Sequence, residues 1–345
     1  MNTKIFKIDR NNIDQNLIEI AADTIKNGEL VAFPTETVYG LGADGLNEIA
    51  LGKIYQAKGR PSDNPLILHI SDETMLYNLV DEISSDAKKL IEKCWPGPLT
   101  IILKKSKIVP DIVTGGLDTV AVRFPKDQIA QALIAKAQRP IAAPSANISG
   151  RPSPTRASDV YFDLKDRIPI ILDGGSADIG IESTVIDFSE DTPTILRPGF
   201  YTFEFIKVIL ENVILDDALV SDGKIPKSPG QKYSHYCPQA KMKVFVGDKA
   251  SSHMLIEAQK LSEDGKKVGI LAFDDTLEKF HPYYTISLGN RDDLSYMSHV
   301  LFTSLREMDY QNVDYIIAEG VYDNNMGKSI MNRMKKSASN NVIYL

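Results

Sequence analysis

The amino-acid sequence predicts an α/β fold in two parts, a larger N-terminal unit and a smaller C-terminal one. Three observations lead there. The chain has 345 residues, more than one ordinary domain needs. Short apolar runs rich in Val, Ile and Leu alternate with stretches of helical period along most of its length. Near 213–240 that alternation gives way to Asp, Gly, Lys, Pro, Ser and aromatic residues, including SPGQKYSHYCP. The expected division is therefore a domain at 1–212, a connecting loop at 213–240 and a second domain at 241–345.

The first helix is set by Ile13, Leu17, Ile20, Ala21 and Ile25, which share one face, and by Gly28 where a helix-ending glycine belongs. A strand, Leu30–Phe33, runs straight into Pro34-Thr35-Glu36-Thr37. Helices are expected near 48–57, 72–80, 84–93, 127–137, 155–163 and 202–211. Strands are expected at 65–70, 99–103, 119–124, 140–143, 169–172, 183–188 and 193–197. From 241 the order is strand KMKVFVG, helix 251–263, strands VGILAF and YYTISL, helix 293–308, strand VDYIIAEGV, helix 328–338 and strand NVIYL. Leu294, Met297, Leu301, Leu305 and Met308 form a core-facing stripe on one of these helices. The second part reads as a small Rossmann-like, mostly parallel sheet.

Composition narrows the function. The chain is 43% hydrophobic and 25% charged, as a soluble globular protein is. A net charge of -7 argues against sequence-blind binding to a phosphate backbone, so stable nucleic-acid binding is not expected. Cys94 and Cys237 stand far apart in no CxxC pattern, which disfavours a disulfide framework and suits a reducing compartment. MNTKIFKIDRNN has no signal-peptide core and no long apolar run suggests a membrane span; the expectation is a cytoplasmic protein.

Two motifs are decoys. Gly40-Leu41-Gly42-Ala43-Asp44-Gly45 matches GxGxxG, but PTETVY separates it from the preceding strand. Arg60 and Pro61 stand where a ribose-binding acid should be, so these glycines read as turn residues. Gly327-Lys328-Ser329 has Tyr322 where a phosphate-binding loop needs glycine, and reads as a helix start. None of the five histidines has a partner at metal-ligand spacing, so no protein metal ligands are expected. HExxH and GxSxG are both absent.

The remaining signal is a series of polar motifs at predicted strand ends: PTETVYGLG (34–42), KGRPSDNPL (58–66), HI (69–70), PGPLT (96–100), AVRFP (121–125), APSAN (143–147), SGRPS (149–153), GIESTV (180–185) and LRPG (196–199). Cations recur (Lys58, Arg60, Arg123, Arg151, Arg197), as do Thr35, Ser145, Asn147 and Ser183. Arginine forks and hydroxyls suit carboxylate and polyphosphate groups. Only Glu36, Asp63 and Glu182 supply acids, so the site reads as one that holds anions, as phosphoryl or nucleotidyl transfer requires. Lys58 and Arg60 read as strand-edge charges whose loss would abolish turnover and leave the fold intact.

The order PTETVYGLG, K-x-R at Lys58-Gly59-Arg60, NPL, S-x-N at Ser145-Ala146-Asn147, ESTV and LRPG resembles the YrdC-like threonylcarbamoyl-AMP synthase family over about 14–200. SPGQKYSHYCP (228–238) and GKSIMNRMKKSA (327–338) resemble the linker and the late signature of its two-domain members. Cys237, where alanine is usual, and Met326, where leucine is typical, depart from the pattern. The resemblance implies a YrdC-like twisted, open, mixed sheet for the first domain. It also implies a reaction: L-threonine, bicarbonate or CO2, and ATP with Mg2+ give threonylcarbamoyl-AMP and pyrophosphate. The product would pass to a tRNA threonylcarbamoyl transferase that makes N6-threonylcarbamoyladenosine. Thr35, His69, Arg123, Ala143 and Ser183 would line the threonine site. Arg60, Asn64, Thr119, Ser145, Asn147, Ser153, Arg197 and Tyr233 would contact ATP, with Lys58 near the phosphates. Lys58 and Arg60 would carry the catalytic role. The loop at 228–238 would close over the nucleotide. The rival expectations are a non-enzymatic double-stranded-RNA-binding or assembly factor, and a carbamoyl transferase of hydrogenase maturation.

Overall fold

The computed structural model describes residues 2–220 and 235–345, which form two compact units. The first draws on the chain up to Ser149 and on 153–178, then resumes at Glu182. The second takes Gly150–Pro152, Ile179–Ile181 and the C-terminal part of the chain.

The strands of the first unit are β1 (Lys4–Lys7), β2 (Val31–Phe33), β3 (Gly40–Asp44), β4 (Ile67–His69), β5 (Leu99–Lys104) and β6 (Thr119–Arg123), then β7 (Ile141–Ala142), β8 (Ile170–Asp173), β9 (Thr184–Asp187), β10 (Thr194–Arg197) and β11 (Ile214–Leu215). They form one mixed sheet in the order β1-β8-β2-β3-β7-β4-β6-β5-β9-β10-β11. Parallel pairs such as β4·β6 and β5·β9 alternate with antiparallel ones such as β5·β6 and β2·β3. The strands read as continuous apolar runs because both faces are covered. Along β2, Val31 and Phe33 enter one apolar cluster and Ala32 the other, the period-two consequence of strand geometry.

The helix Gln15–Lys26 shows how sequence sets these layers. Asp14 caps it by accepting from the N–H groups of Asn16 and Leu17, and Gly28 follows its end at φ +74°. Its buried stripe is Ile18, Ala21, Ala22 and Ile25, spaced i, i+3, i+4, i+7. Ile20, expected on that face, is 48% exposed instead. A stripe centred on Ile18 buries two alanines and so brings this helix close to the helix Gln128–Ala137, with which it shares a core.

Three stretches of the chain differ from expectation. Gly40–Asp44 is the strand β3, antiparallel to β2, and not a turn. Its glycines are required by close packing: a Cβ on Gly42 would lie 2.8 Å from Ile141 and from the Phe33 ring. β1, KIFK, joins the sheet edge beside β8 although its polar sequence gives no strand signal. Within the stretch expected to be irregular, β11 pairs with β10 and a short helix covers Asp217–Val220.

The strands of the second unit are β12 (Lys241–Val246), β13 (Val268–Ala272), β14 (Tyr284–Ser287), β15 (Tyr315–Glu319) and β16 (Val342–Tyr344). All their pairings are parallel, in the order β14-β13-β15-β12-β16. β15 therefore separates β12 from β13, whereas the dinucleotide-binding order keeps the first two strands adjacent. The helix Leu294–Tyr310 buries Met297, Leu301, Leu305 and Met308 as expected. Gly327-Lys328-Ser329 lies in the first turn of the helix Asn325–Ser337. A cavity of about 590 Å³ opens at the carboxyl ends of β12, β13 and β15, with Asp248, Ser251, Lys279, Arg291 and Glu319 in its wall. It contains none of the residues of the polar motif series.

Candidate active site

Register gathers the polar motifs of the first unit into one row. His69 on β4 lies opposite Arg123 on β6, and Thr100 on β5 lies opposite Arg123 from the other side. Next along, Leu99 is opposite Thr184, so Ser183 joins the row just before β9. On the far side His69 is opposite Ile141, and Ala143, following β7, donates its N–H to Ile67 O at 2.9 Å. Adjacent strands are about 4.8 Å apart. Five distant chain segments therefore converge.

Two buried hydrogen-bond sets occupy this row. Arg123 donates from Nη1 to Thr37 Oγ1 at 2.9 Å, and the Thr37 and Thr35 hydroxyls are 2.8 Å apart. Thr35 Oγ1 donates to Val38 O at 2.7 Å and accepts from the N–H groups of Thr37 and Val38. This locks the PTET turn after β2. In the second set the Thr100 and Ser183 hydroxyls lie 2.7 Å apart. Arg197 donates from Nη2 to Ser183 Oγ and from Nε to Ser183 O, both at 3.0 Å. Gly199 makes that approach possible, since a Cβ there would lie 2.4 Å from Thr184 N.

His69 is buried, with Nδ1 3.2 Å from Ile67 O and its ring edge-on to Phe33. Burial pushes its pKa down to about 3, and the Arg123 charge acts in the same direction. The imidazole is therefore neutral at physiological pH.

Lys58 corrects an expectation. It is 1% exposed, and its ammonium donates to the carbonyls of Ser145 and of Asn147, the latter at 2.6 Å. It is a buried tie between the helix Glu48–Lys58 and the APSAN turn. Its removal would take a charged donor from both carbonyls, so the fold would not be indifferent to it. The turn is closed further by Ser145 Oγ donating to Asn147 Oδ1 at 2.6 Å and by Asn147 Nδ2 donating to Ile148 O. It also bridges to β3 through Ser145 and Gly40. Arg60, half-buried, donates to Pro65 O at 3.0 Å and more weakly to Asn64 O, which shapes its own loop. Asn64 is buried in that loop. Ser153 donates to Glu182 Oε1 at 2.6 Å, next in sequence to Ser183.

Thr119 begins β6, four residues before Arg123, and so stands roughly 13 Å from the row. Tyr233 and most of the 228–238 loop lie outside the described residues. Of the described remainder, Tyr236 packs on Phe302 within the second unit.

Other residues belong to the site without having been assigned to it. Thr37 and Thr100 sit inside quoted motifs, but only the folded chain shows that Thr37 meets Arg123 and Thr100 meets Ser183. Glu36 places Oε1 2.7 Å from Arg123 Nη2, with both side chains buried. Asp127 caps the helix Gln128–Ala137, and burial pushes its pKa up to about 6, with Glu36 adding to the rise. As a whole the site offers guanidinium groups, hydroxyls and amides, with the carboxylates of Glu36 and Glu182 set against Arg123 and Ser153.

Residues 23–199 match the Sua5/YciO/YrdC family, described as telomere recombination. Residues 202–339 match the family described as "Threonylcarbamoyl-AMP synthase, C-terminal domain". A threonylcarbamoyl-AMP synthase of Pyrococcus abyssi is 46% identical over 339 residues, 97% of each chain. The chain belongs to the threonylcarbamoyl-AMP synthase family. Its Bacillus subtilis relative of the same name is 45% identical over 94% of this chain and 93% of that one. The crystal structure of P. abyssi Sua5 complexed with L-threonine superposes with a TM-score of 0.94 at 44% identity, covering 99% of this chain and all of that one. This family architecture, a YrdC-like mixed sheet followed by a smaller α/β domain, is the one seen here. Among the described residues no helix is long and apolar enough to cross a membrane.

Proposed function

We propose that this chain makes threonylcarbamoyl-AMP from L-threonine, CO2 or bicarbonate, and ATP, releasing pyrophosphate. The observation that carries this reading is the row itself. Buried Arg123 lies beside neutral His69 at the centre of the first unit's sheet, and buried Arg197 reaches Ser183 further along the same row; each arginine is hydrogen-bonded to a hydroxyl group. Such a site recognises a small ligand with a carboxylate and a hydroxyl, and L-threonine has both. Arg123 offers the carboxylate a guanidinium fork. The Thr100–Ser183 hydroxyl pair gives a threonine hydroxyl a partner that valine would leave unmet.

On this reading the threonine amine adds to CO2 with loss of a proton to solvent, and an oxygen of the resulting carbamate attacks the α-phosphorus of ATP. The new P–O bond forms as the bond to pyrophosphate breaks. The chain's part is positioning and charge stabilisation. Lys58 fixes the Ser145–Asn147 turn against which the nucleotide would sit, and Arg60 and Arg197 stand on neighbouring motifs. Among the described residues no three His, Cys, Asp or Glu side chains gather into a metal cage. Magnesium would enter with ATP, bound to the substrate's own phosphates. The product would pass to a tRNA threonylcarbamoyl transferase in the cytoplasm. No feature of the site favours the RNA-binding or hydrogenase-maturation readings.

The test is mass spectrometry of products from threonine, bicarbonate and ATP. Threonylcarbamoyl-AMP and pyrophosphate are expected, each requiring both co-substrates. Formation of ADP and phosphate, or turnover independent of threonine, would falsify the proposal.

A further inference from the structure

The Glu36–Arg123 pair is incomplete in a way that points to its ligand. Both side chains are buried, 5% and 4% exposed by residue. Glu36 Oε1 is 2.7 Å from Arg123 Nη2, close enough for an ion pair. Yet Glu36 Oε1 and Oε2 and Arg123 Nε and Nη2 make no hydrogen bond among the described residues, because the carboxylate lies off the N–H directions. Among the described residues the guanidinium of Arg123 donates one hydrogen bond, to Thr37 Oγ1.

A buried ion pair recovers its desolvation cost only when good geometry and further hydrogen bonds satisfy both ions. Four orphaned polar atoms on two adjacent buried residues are an exception that calls for a cause. The pair is also reinforced from one side only: Thr37 holds Arg123, while nothing described holds Glu36.

We propose that Glu36 and Arg123 form a clamp for the zwitterionic head of an α-amino acid, with Arg123 taking the carboxylate and Glu36 the ammonium. This rests on the threonine reading above and deepens it by assigning Glu36. A carboxylate placed on the Nε–Nη2 edge of Arg123 supplies the two hydrogen bonds that edge lacks. An ammonium on the same carbon brings donors to Glu36. The exchange is neutral overall: one buried opposite-charge pair becomes two, and no net charge enters the site. A carboxylate without an amine would leave Glu36 buried and unpaired, which is costly. The clamp therefore selects a free amino acid over hydroxy acids of the same shape. It also holds the amine in place before CO2 reaches it.

The experiment is calorimetric titration of the full chain, without ATP, with L-threonine and with (R)-3-hydroxybutyrate, which is threonine lacking its amine. The wild type is expected to bind threonine and to bind hydroxybutyrate far more weakly. Glu36→Gln should weaken threonine on the order of tenfold, the loss of a buried charge-assisted contact. The same change should leave hydroxybutyrate unchanged or tighter, since Arg123 is then free of its internal anion. Glu36→Asp keeps the charge on a shorter arm and should bind threonine with intermediate affinity. It serves as the second variant if the glutamine form folds poorly. Equal weakening of both ligands in Glu36→Gln would mark a merely structural role and overturn the clamp. Unchanged threonine affinity in Glu36→Gln would overturn it too, with the threonine reading intact. A wild type that binds no threonine would overturn both.

Discussion

Lys58 donates from its buried ammonium to the carbonyl of Asn147 at 2.6 Å, tying the end of one helix to the APSAN turn. The ammonium is thereby directed at that turn. Lys58→Met, of similar length and without charge, should abolish adenylate formation and also destabilise the chain by about 1–3 kcal/mol. That figure is roughly what one buried carbonyl stripped of its charged donor costs, since the Ser145 carbonyl still accepts from the Asn147 N–H. Urea unfolding followed by circular dichroism measures it. An unchanged midpoint with lost activity would return Lys58 to a purely catalytic role.

Gly199 passes so close to the ESTV segment that a Cβ would sit 2.4 Å from Thr184 N and 2.6 Å from the Ser183 carbonyl carbon. Neither neighbour is a flexible side-chain end. Gly199→Ala should cost about 1–3 kcal/mol through forced backbone movement. It should also lower turnover, because the Arg197–Ser183 contacts move with it. Thermal denaturation and an initial-rate assay read the two effects.

Ser183 Oγ joins Thr100 and Arg197. Ser183→Ala should lower kcat/KM for threonine on the order of tenfold while changing that for valine little, the asymmetry expected when a hydroxyl partner is removed. Competition between the two amino acids, read by mass spectrometry of the adenylates, gives the ratio directly. Equal loss for both would mean that Ser183 supports the backbone alone.

Two buried groups should shape the acid limb of stability with opposite signs. The pKa of His69 falls from 6.5 to about 3, so the unfolded chain binds more protons between those values and stability drops as pH falls through the window. His69→Gln should flatten that slope. The pKa of Asp127 rises from 3.8 to about 6, so the folded state holds the extra proton. Its contribution is full below 3.8 and is lost as pH rises through 6. Asp127→Asn keeps an oxygen that can cap the helix and should remove this second dependence. Urea unfolding between pH 3 and pH 8 separates the two. His69 should also contribute no titration to the rate profile near neutrality.

Helices and strands were legible where hydrophobic period and capping residues agreed. Asp14 and Gly28 bracket one helix, and the apolar runs at 99–103 and 119–124 are β5 and β6. Legibility failed where packing overrode local pattern. Gly40–Asp44 looks like a turn because of its glycines, yet they are strand positions pressed against Phe33 and Ile141. Polar KIFK became an edge strand because β8 offered it free backbone groups.

The sequence by itself determined the α/β class, the division into a larger and a smaller unit, and the ordered motifs that identify the family, because these depend on local period and residue type. Tertiary structure decided what those motifs do. Register between β4, β6, β5 and β9 put His69, Arg123, Thr100 and Ser183 side by side. Burial turned Lys58 from a surface cation into a structural tie and left Glu36 facing Arg123 with no hydrogen bond to its carboxylate among the described residues. Distances between residues far apart in the chain, and the solvent each one loses, are set only when the sheet closes. The charge, partner and role of a polar side chain follow from those two quantities.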